Sequence, residues 1–99
     1  MNQEPSFEEK IVQASDLLKA VSNPHRLQIL CLLAQHQELN VGQILAHSSL
    51  SQSALSQHLA KMRDEGMIGF RREGQTLFYS IADERVIRLL DTLKEMFCA

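Results

Sequence analysis

The side chains best suited to recognition chemistry lie together on one face of a segment from Ser51 to Glu65. Uncharged residues, three of them polar, recur there with the spacing of a helix face, namely Ser53, Ser56, Gln57 and Ala60, with Gln52 and Lys61 beside them. An ordinary solvated face on so charged a chain would more often carry Glu and Lys. A face of serine and glutamine can lie against a base-pair edge and exchange hydrogen bonds with it. The serine and glutamine side chains of this face, Gln52 included, are therefore expected to contact base edges.

The opposite face of the same segment is apolar. Leu55, Leu59 and Met62 recur at i, i+4 and i+7, which predicts a helix that packs against a core. A shorter helix is predicted before it, because Asn40 and Gln43 have the spacing of a capping box. Two short helices joined by a tight polar turn predict a helix-turn-helix, with the later helix as the recognition helix.

A β-hairpin is predicted directly after the recognition helix. Runs rich in β-branched and aromatic residues, 68–72 and 75–81, flank Gly74, which can supply the positive φ that a hairpin turn needs. A hairpin in this place, with arginines near its tip, is typical of the wing of a winged helix. Phosphate contacts are expected from Ser51, Lys61, Arg63, Arg71 and Arg72. Strand alternation sends the last two to opposite faces, so only one of them is expected to reach DNA.

The remaining segments are predicted helices that position this unit. Residues 7–21 carry one apolar stripe, and residues 25–35 are apolar nearly all round, which predicts a central buried helix. Residues 84–97, preceded by the potential cap Asp83, carry a stripe wider than one small core requires. The predicted fold class is therefore mainly α with a small β-hairpin. The first and last helices are expected to join two copies in a homodimer.

Length and charge agree with a small DNA-binding domain. Residues 1–99 leave room for a single core, so one winged helix-turn-helix domain is expected, with the helix-turn-helix at about 41–65 and the wing at about 67–81. The formal net charge is −2, and the DNA-facing half is only slightly basic, which predicts modest non-specific affinity. No apolar run approaches the roughly 20 residues that cross a bilayer, and no secretory signal is visible. A cytoplasmic location without membrane contact is expected.

Three blocks of sequence follow one another in a distinctive order. They are residues 22–30, SNPHRLQIL, residues 50–59, LSQSALSQHL, and residues 63–68, RDEGMI. These blocks resemble the ArsR/SmtB family of bacterial repressors, and the resemblance runs from about Leu17 to Cys98. It implies a homodimeric winged helix that binds double-stranded DNA at an inverted-repeat operator and is released when an inducer binds. No cofactor is expected.

Most of that family senses metals, yet this chain departs from both familiar family sites. One site uses the cysteines of an ELCVCDL box, where this sequence has Asn40 and Gly42, neither of which is a soft ligand. The other uses Asp and His pairs along the last helix, and residues 83–99 contain no histidine. The four histidines of the chain lie on different predicted elements, without the clustered spacing of a zinc site. No metal is expected at either place.

Cys31 and Cys98 remain as candidates for a switch. Cys31 falls in the predicted buried helix, and Cys98 is next to last in the chain. This placement resembles the metal-free branch of the family with two cysteines, the HlyU-like and persulfide-responsive repressors. The resemblance implies that the two cysteines react with oxidant or reactive sulfur and form a disulfide or polysulfide bridge. Cys98 is expected to be the more exposed and reactive thiol, with Cys31 resolving. The alternative is that both are inert and pack as small hydrophobes, with control by another signal.

Two other classes of function compete with a DNA-binding regulator. A thiol enzyme would need a C-x-x-C pair or a cysteine with a positioned base, and the sequence offers neither pattern. Catalysis is therefore not expected. The second rival is a winged helix that serves only in protein–protein contacts, against which the Ser/Gln face and the wing arginines count. Repression and displacement of another repressor are both compatible with the sequence.

Overall fold

The computed structural model describes residues 4–98, which form five helices and one β-hairpin in the order predicted for a winged helix. The elements are α1 (Phe7–Val21), α2 (Pro24–His36), α3 (Val41–Ala46), α4 (Gln52–Asp64), β1 (Ile68–Glu73), β2 (Thr76–Ile81) and α5 (Glu84–Phe97). The predicted fold class, mainly α with a small hairpin, is confirmed.

Polar side chains fix where the helices begin. The Asn23 Oδ1 accepts hydrogen bonds from the backbone N–H groups of His25 and Arg26, at 2.9 and 3.2 Å, so that Pro24 occupies the first turn of α2. Asn40 and Gln43 form the predicted capping box of α3, and the Asp83 side chain caps α5. Such a cap contributes about 1 kcal/mol. These local signals were visible in the sequence, and the structure confirms them.

The wing is a regular two-stranded hairpin that is anchored to the body. Its strands pair antiparallel from Ile68 opposite Ile81 to Glu73 opposite Thr76, and Gly74 turns the chain with a φ of 62°. An isolated bridge joins Leu39, in the α2–α3 connection, to Tyr79 of β2. Two backbone hydrogen bonds of 3.0 and 2.8 Å make that bridge. The wing therefore has a fixed orientation relative to the helix-turn-helix.

One apolar core lies between α2, the helix-turn-helix, the wing and the first half of α5. Its members are Val21, Ile29, Leu30, Leu33, Leu39, Ile44, Leu55, Leu59, Met62, Met67, Ile68, Tyr79, Val86 and Leu90. The predicted α4 stripe of Leu55, Leu59 and Met62 is wholly buried in it. Because one face of α4 is held in this way, its opposite face must point to solvent.

The prediction that α2 is a central buried helix holds for only one of its faces. Ile29, Leu30 and Leu33 enter the core, whereas Cys31 and Ala34 lie on an exposed face of the same helix. The apolar residues exceed what one face can bury, because a single small core covers only one side of a helix. Cys31 is therefore at the surface of this chain and not inside it.

Large apolar side chains also remain exposed on the first and last helices. On α1 they are Phe7, Ile11, Val12 and Leu18, and on α5 they are Ile87, Met96 and Phe97. Val21 is the one residue of α1 that is buried. Within residues 4–98, no helix has the length and apolar character needed to cross a membrane.

Candidate DNA-binding surface

The Ser/Gln face of α4 is assembled as the sequence predicts. Its members Gln52, Ser53, Ser56 and Gln57 are all exposed. Among residues 4–98, none of these four side chains has a hydrogen-bond partner, so their donors and acceptors are available to a ligand. The exposed Lys61 and Arg63 lie farther along the same helix. The Ser51 Oγ caps the helix by accepting from the Ala54 N–H at 3.1 Å.

The turn between α3 and α4 is held by side chains from outside it. The Gln28 Nε2 donates to the His47 carbonyl at 2.8 Å, which ties the end of α3 to α2. The Ser48 Oγ accepts from the Leu50 N–H at 3.0 Å within the turn. Since α3 and α4 also pack together, the first turn of α4 has a defined position relative to the core.

Arg26 fixes the other end of α4, a role that the sequence analysis did not assign. Its Nη1 donates to the Ala20 carbonyl at 3.2 Å, at the end of α1, and to Glu65 Oε2 at 3.3 Å, at the end of α4. Among residues 4–98, Arg26 is the one charged residue that is buried. The sequence did hold a hint of this role, because Arg26 is a charged residue that lies between the cap of α2 and an apolar run. Its partner, 39 residues away, has no local signature.

The two wing arginines point to opposite faces of the hairpin, as predicted, and their surroundings differ. The Arg71 Nη2 contacts Glu38 Oε1 at 2.6 Å, and its Nη1 contacts Glu73 Oε2 at 2.8 Å. Hydrogen bonds from Arg71 hold the pKa of the Glu38 carboxyl below its ordinary value. Arg72 pairs with no carboxylate in the described part of the chain. The Arg63 guanidinium lies 5.3 Å from the centre of the Phe70 ring at the base of the wing.

The histidines form two pairs on the surface. The ring centroids of His25 and His58 are 6.0 Å apart, and those of His36 and His47 are 6.3 Å apart. Burial lowers the pKa of His58, and the positive charge of Arg26 lowers it further, with smaller effects from the neighbouring His25 and Lys61. His58 is therefore neutral at pH 7, beside the polar face of α4.

The position of the family's thiolate site carries a helix cap in this chain. Asn40, which stands where a thiolate ligand would be, uses its Oδ1 to accept from the Gln43 N–H at 2.9 Å. Gly42 offers no side chain at all. Throughout residues 4–98, no group of three His, Cys, Asp or Glu side chains is close enough to hold a metal ion. Asn40 and Gly42 therefore do not fit the thiolate site of the family.

Cys31 and Cys98 are both exposed free thiols, on α2 and at the end of α5. Those two helices pack against each other. Partial shielding from water raises the pKa of the Cys31 thiol, and the negative charge of a nearby Cys98 thiolate raises it further. Cys31 is mainly protonated at neutral pH.

Comparison with known proteins agrees with this arrangement. Residues 23–69 match the family model described as "Bacterial regulatory protein, arsR family". The chain is 48% identical over 86 residues to the HTH-type transcriptional regulator YgaV of Escherichia coli K12, covering 87% of each chain. It is 44% identical over 92 residues to the transcriptional activator HlyU of Vibrio cholerae, covering 93% of this chain and 84% of that one.

The solved structure of a similar regulator superposes closely on this chain. Reduced HlyU from Vibrio cholerae N16961 has a TM-score of 0.87 and 43% identity, over 94% of this chain and 97% of that one. The similarity extends over nearly all of the helices and the wing described above. The chain belongs to the ArsR family of winged-helix transcriptional regulators, which are DNA-binding proteins and not enzymes.

Proposed function

We propose that this protein is a sequence-specific transcriptional regulator that places α4 in the major groove of an operator. The exposed face of Gln52, Ser53, Ser56 and Gln57 carries the proposal, since it is uncharged and lacks partners in the described chain while the opposite face is buried. Side chains of this kind bond to base edges, which distinguish all four base pairs in the major groove. The protein acts where its DNA is, in the cytoplasm.

The regulator is a homodimer that binds an inverted repeat. The large apolar side chains exposed on α1 and α5 support a second copy as their cover. A two-fold axis through that interface presents one α4 from each subunit, with half-sites about one helical turn apart. Selection of bound duplexes from a random pool tests the function directly. Recovery of an inverted repeat is expected, whereas recovery of unrelated sequences would contradict the proposal.

Gln57→Ala should relax the preference for one base pair in each half-site. Loss of a bidentate contact costs roughly 1–3 kcal/mol of discrimination. Competition gel shifts with single-base variants of the selected site measure the change. Thr92→Ala is the matched control, because Thr92 is exposed on α5, away from the proposed DNA surface. Unchanged sequence preference in the Gln57 variant would remove this side chain from the set of base contacts.

Phosphate contacts are assigned to Ser51, Lys61, Arg63 and one wing arginine. Of the two wing arginines, Arg72 is favoured, because carboxylates surround Arg71. Arg72→Gln should weaken binding to every sequence alike and reduce the slope of log affinity against log salt by about one. Arg71→Gln is the comparison variant and should leave the slope nearly unchanged. A slope unaltered by both substitutions would exclude the wing from DNA contact.

The signal is proposed to be oxidant or reactive sulfur acting on Cys31 and Cys98. The Cys98 thiolate attacks the outer sulfur of a persulfide RSSH, which gives a Cys98 persulfide and releases RS⁻. The Cys31 thiolate then attacks the Cys98 sulfur and expels HS⁻, which closes the disulfide. Both thiols are exposed, and they lie on α2 and at the end of α5, which pack against each other; this placement supports the assignment. A relative described as reduced HlyU supports redox control in this branch.

Geometry decides the length of that bridge. A direct disulfide needs Cα atoms within about 4.4–6.8 Å of each other, and a longer separation favours a polysulfide. Either bridge ties α2, which carries Arg26 and supports α4, to α5, which carries exposed apolar residues of the proposed dimer interface. A covalent link between them can rotate one recognition helix relative to the other and so spoil their fit to successive major grooves.

A further inference from the structure

We propose that Glu38 limits the sequence-independent DNA affinity of this protein by holding the wing residue Arg71 away from phosphates. The inference rests on the proposed DNA-binding function and adds a restraining residue outside the contact surface. Its effect is to leave the wing with one free arginine in place of two. The salt-dependent, sequence-independent part of the affinity is therefore kept low, while the base contacts of α4 are untouched.

Every nitrogen of the Arg71 guanidinium is already engaged. Its Nε and Nη2 donate to the Glu38 carboxylate at 3.0 and 2.6 Å, which is a bidentate pairing. Its Nη1 donates to Glu73 Oε2 at 2.8 Å. The guanidinium carbon also lies 4.5 Å from the centre of the Phe78 ring. Two carboxylates surround one cation here, so the cluster of Glu38, Arg71 and Glu73 has a net negative charge.

The backbone of the α2–α3 connection holds Glu38 next to the wing. The next residue, Leu39, forms the bridge to Tyr79 through hydrogen bonds of 3.0 and 2.8 Å, which brings the α2–α3 connection against the wing. Phe78 lies opposite Arg71 in the strand register, so the ring and the guanidinium share one face of the hairpin. The Glu38 side chain therefore lies within hydrogen-bond distance of Arg71 because of the way the two backbone segments pack. Since Arg71 lowers the pKa of Glu38, the carboxylate stays ionised throughout the neutral pH range.

Within residues 4–98, two other arginines of the proposed DNA-binding surface differ from Arg71 in having no carboxylate partner. Arg63 lies over the Phe70 ring with no carboxylate partner in the described chain, and Arg72 is exposed and unpaired there. Each cation that neutralises a phosphate adds about 0.9 to the salt slope and strengthens binding to correct and incorrect sequences alike. Withholding one cation therefore lowers the affinity for all DNA by a similar factor and leaves discrimination between sequences to the base contacts of α4.

Glu38→Gln tests the inference, with a mixed-sequence duplex and the duplex selected from a random pool as the two probes. Arg71, released from Glu38 and left with the exposed Glu73 as its partner, should raise affinity for the mixed-sequence duplex about 5- to 10-fold at moderate salt and steepen the salt slope by about one. The relative preference among single-base variants should persist. Thermal melting checks folding, which an exposed ion pair scarcely affects.

Removal of any negative charge near DNA favours binding, so the control isolates the role of Arg71. In an Arg71→Gln background, Glu38→Gln should leave the salt slope unchanged. A similar steepening in both backgrounds would overturn the inference, and so would weaker binding or an unchanged slope in the single variant. If wild-type protein bound neither duplex, the DNA-binding function itself would be wrong, together with this inference.

Discussion

An organic persulfide should release the reduced protein from its operator, and dithiothreitol should restore binding. The expected loss of affinity is about 10- to 100-fold, the usual range of a coupling between two sites in one protein. The proposed physical cause is the new covalent link between Cys31 on α2 and Cys98, the residue that caps the end of α5. Fluorescence anisotropy with the selected duplex measures the release. Peptide mass spectrometry should find both cysteines of one subunit in a single cross-linked species.

Serine variants separate a switch from inert thiols. Cys31→Ser and Cys98→Ser should each stay bound under persulfide, since neither can close the bridge. They differ in the modification that they retain, because the Cys31→Ser variant should accumulate the Cys98 persulfide, whereas the Cys98→Ser variant should react slowly. Release of the double variant by the same treatment would show that another group senses the signal.

The rate of bridge closure should rise with pH. The resolving step needs the Cys31 thiolate, and shielding together with the Cys98 charge raises the pKa of Cys31 above its ordinary value. Closure is therefore slow near neutral pH, where this thiol is protonated, and becomes faster as the pH approaches that raised pKa. Quenched-flow sampling with mass detection follows the step. A rate of closure that does not change across this range would assign the resolving role to a different group.

The parts of the fold that were predictable from the sequence depend on local chemistry. Asn23, Asn40 and Asp83 cap helices through hydrogen bonds to backbone groups two or three residues away, so their spacing alone revealed them. The two faces of α4 were equally visible, because a helix repeats its environment every three or four residues. The strand alternation that separates Arg71 from Arg72 has the same origin, with a period of two.

The parts that were missed depend on partners distant in sequence. The partner of Arg26 is Glu65, and Glu38, 33 residues before Arg71, determines which wing arginine is free. No spacing rule links such pairs, which arise when packed elements bring them together. The surface position of Cys31 was missed for a related reason. An apolar run shows that a helix has much to bury, but the faces that its neighbours cover depend on the tertiary fold.

Arg26→Ala should destabilise the protein by about 2 kcal/mol. Removal of one partner from a buried ion pair typically costs about 3–5 kcal/mol. The effect is smaller here, since the Glu65 side chain is 34% exposed and water screens the charge left behind. The Ala20 carbonyl also loses its donor. The midpoint of thermal unfolding should fall by about 8–16 °C for a domain of this size. Calorimetry at a fixed protein concentration measures the change, because the proposed dimerisation would make the midpoint depend on concentration.

Two variants identify the cause of that destabilisation. Arg88→Ala removes an exposed arginine of α5 and should change the free energy of unfolding by less than about 0.5 kcal/mol. Glu65→Gln keeps the Arg26 contact with Ala20 and should cost about 1 kcal/mol, less than the loss of Arg26 itself. DNA affinity should fall in the Arg26 variant even well below its unfolding temperature, because the end of α4 loses its anchor to α1 and α2. Equal stability of the Arg26 and Arg88 variants would show that Arg26 does not hold the recognition helix in place.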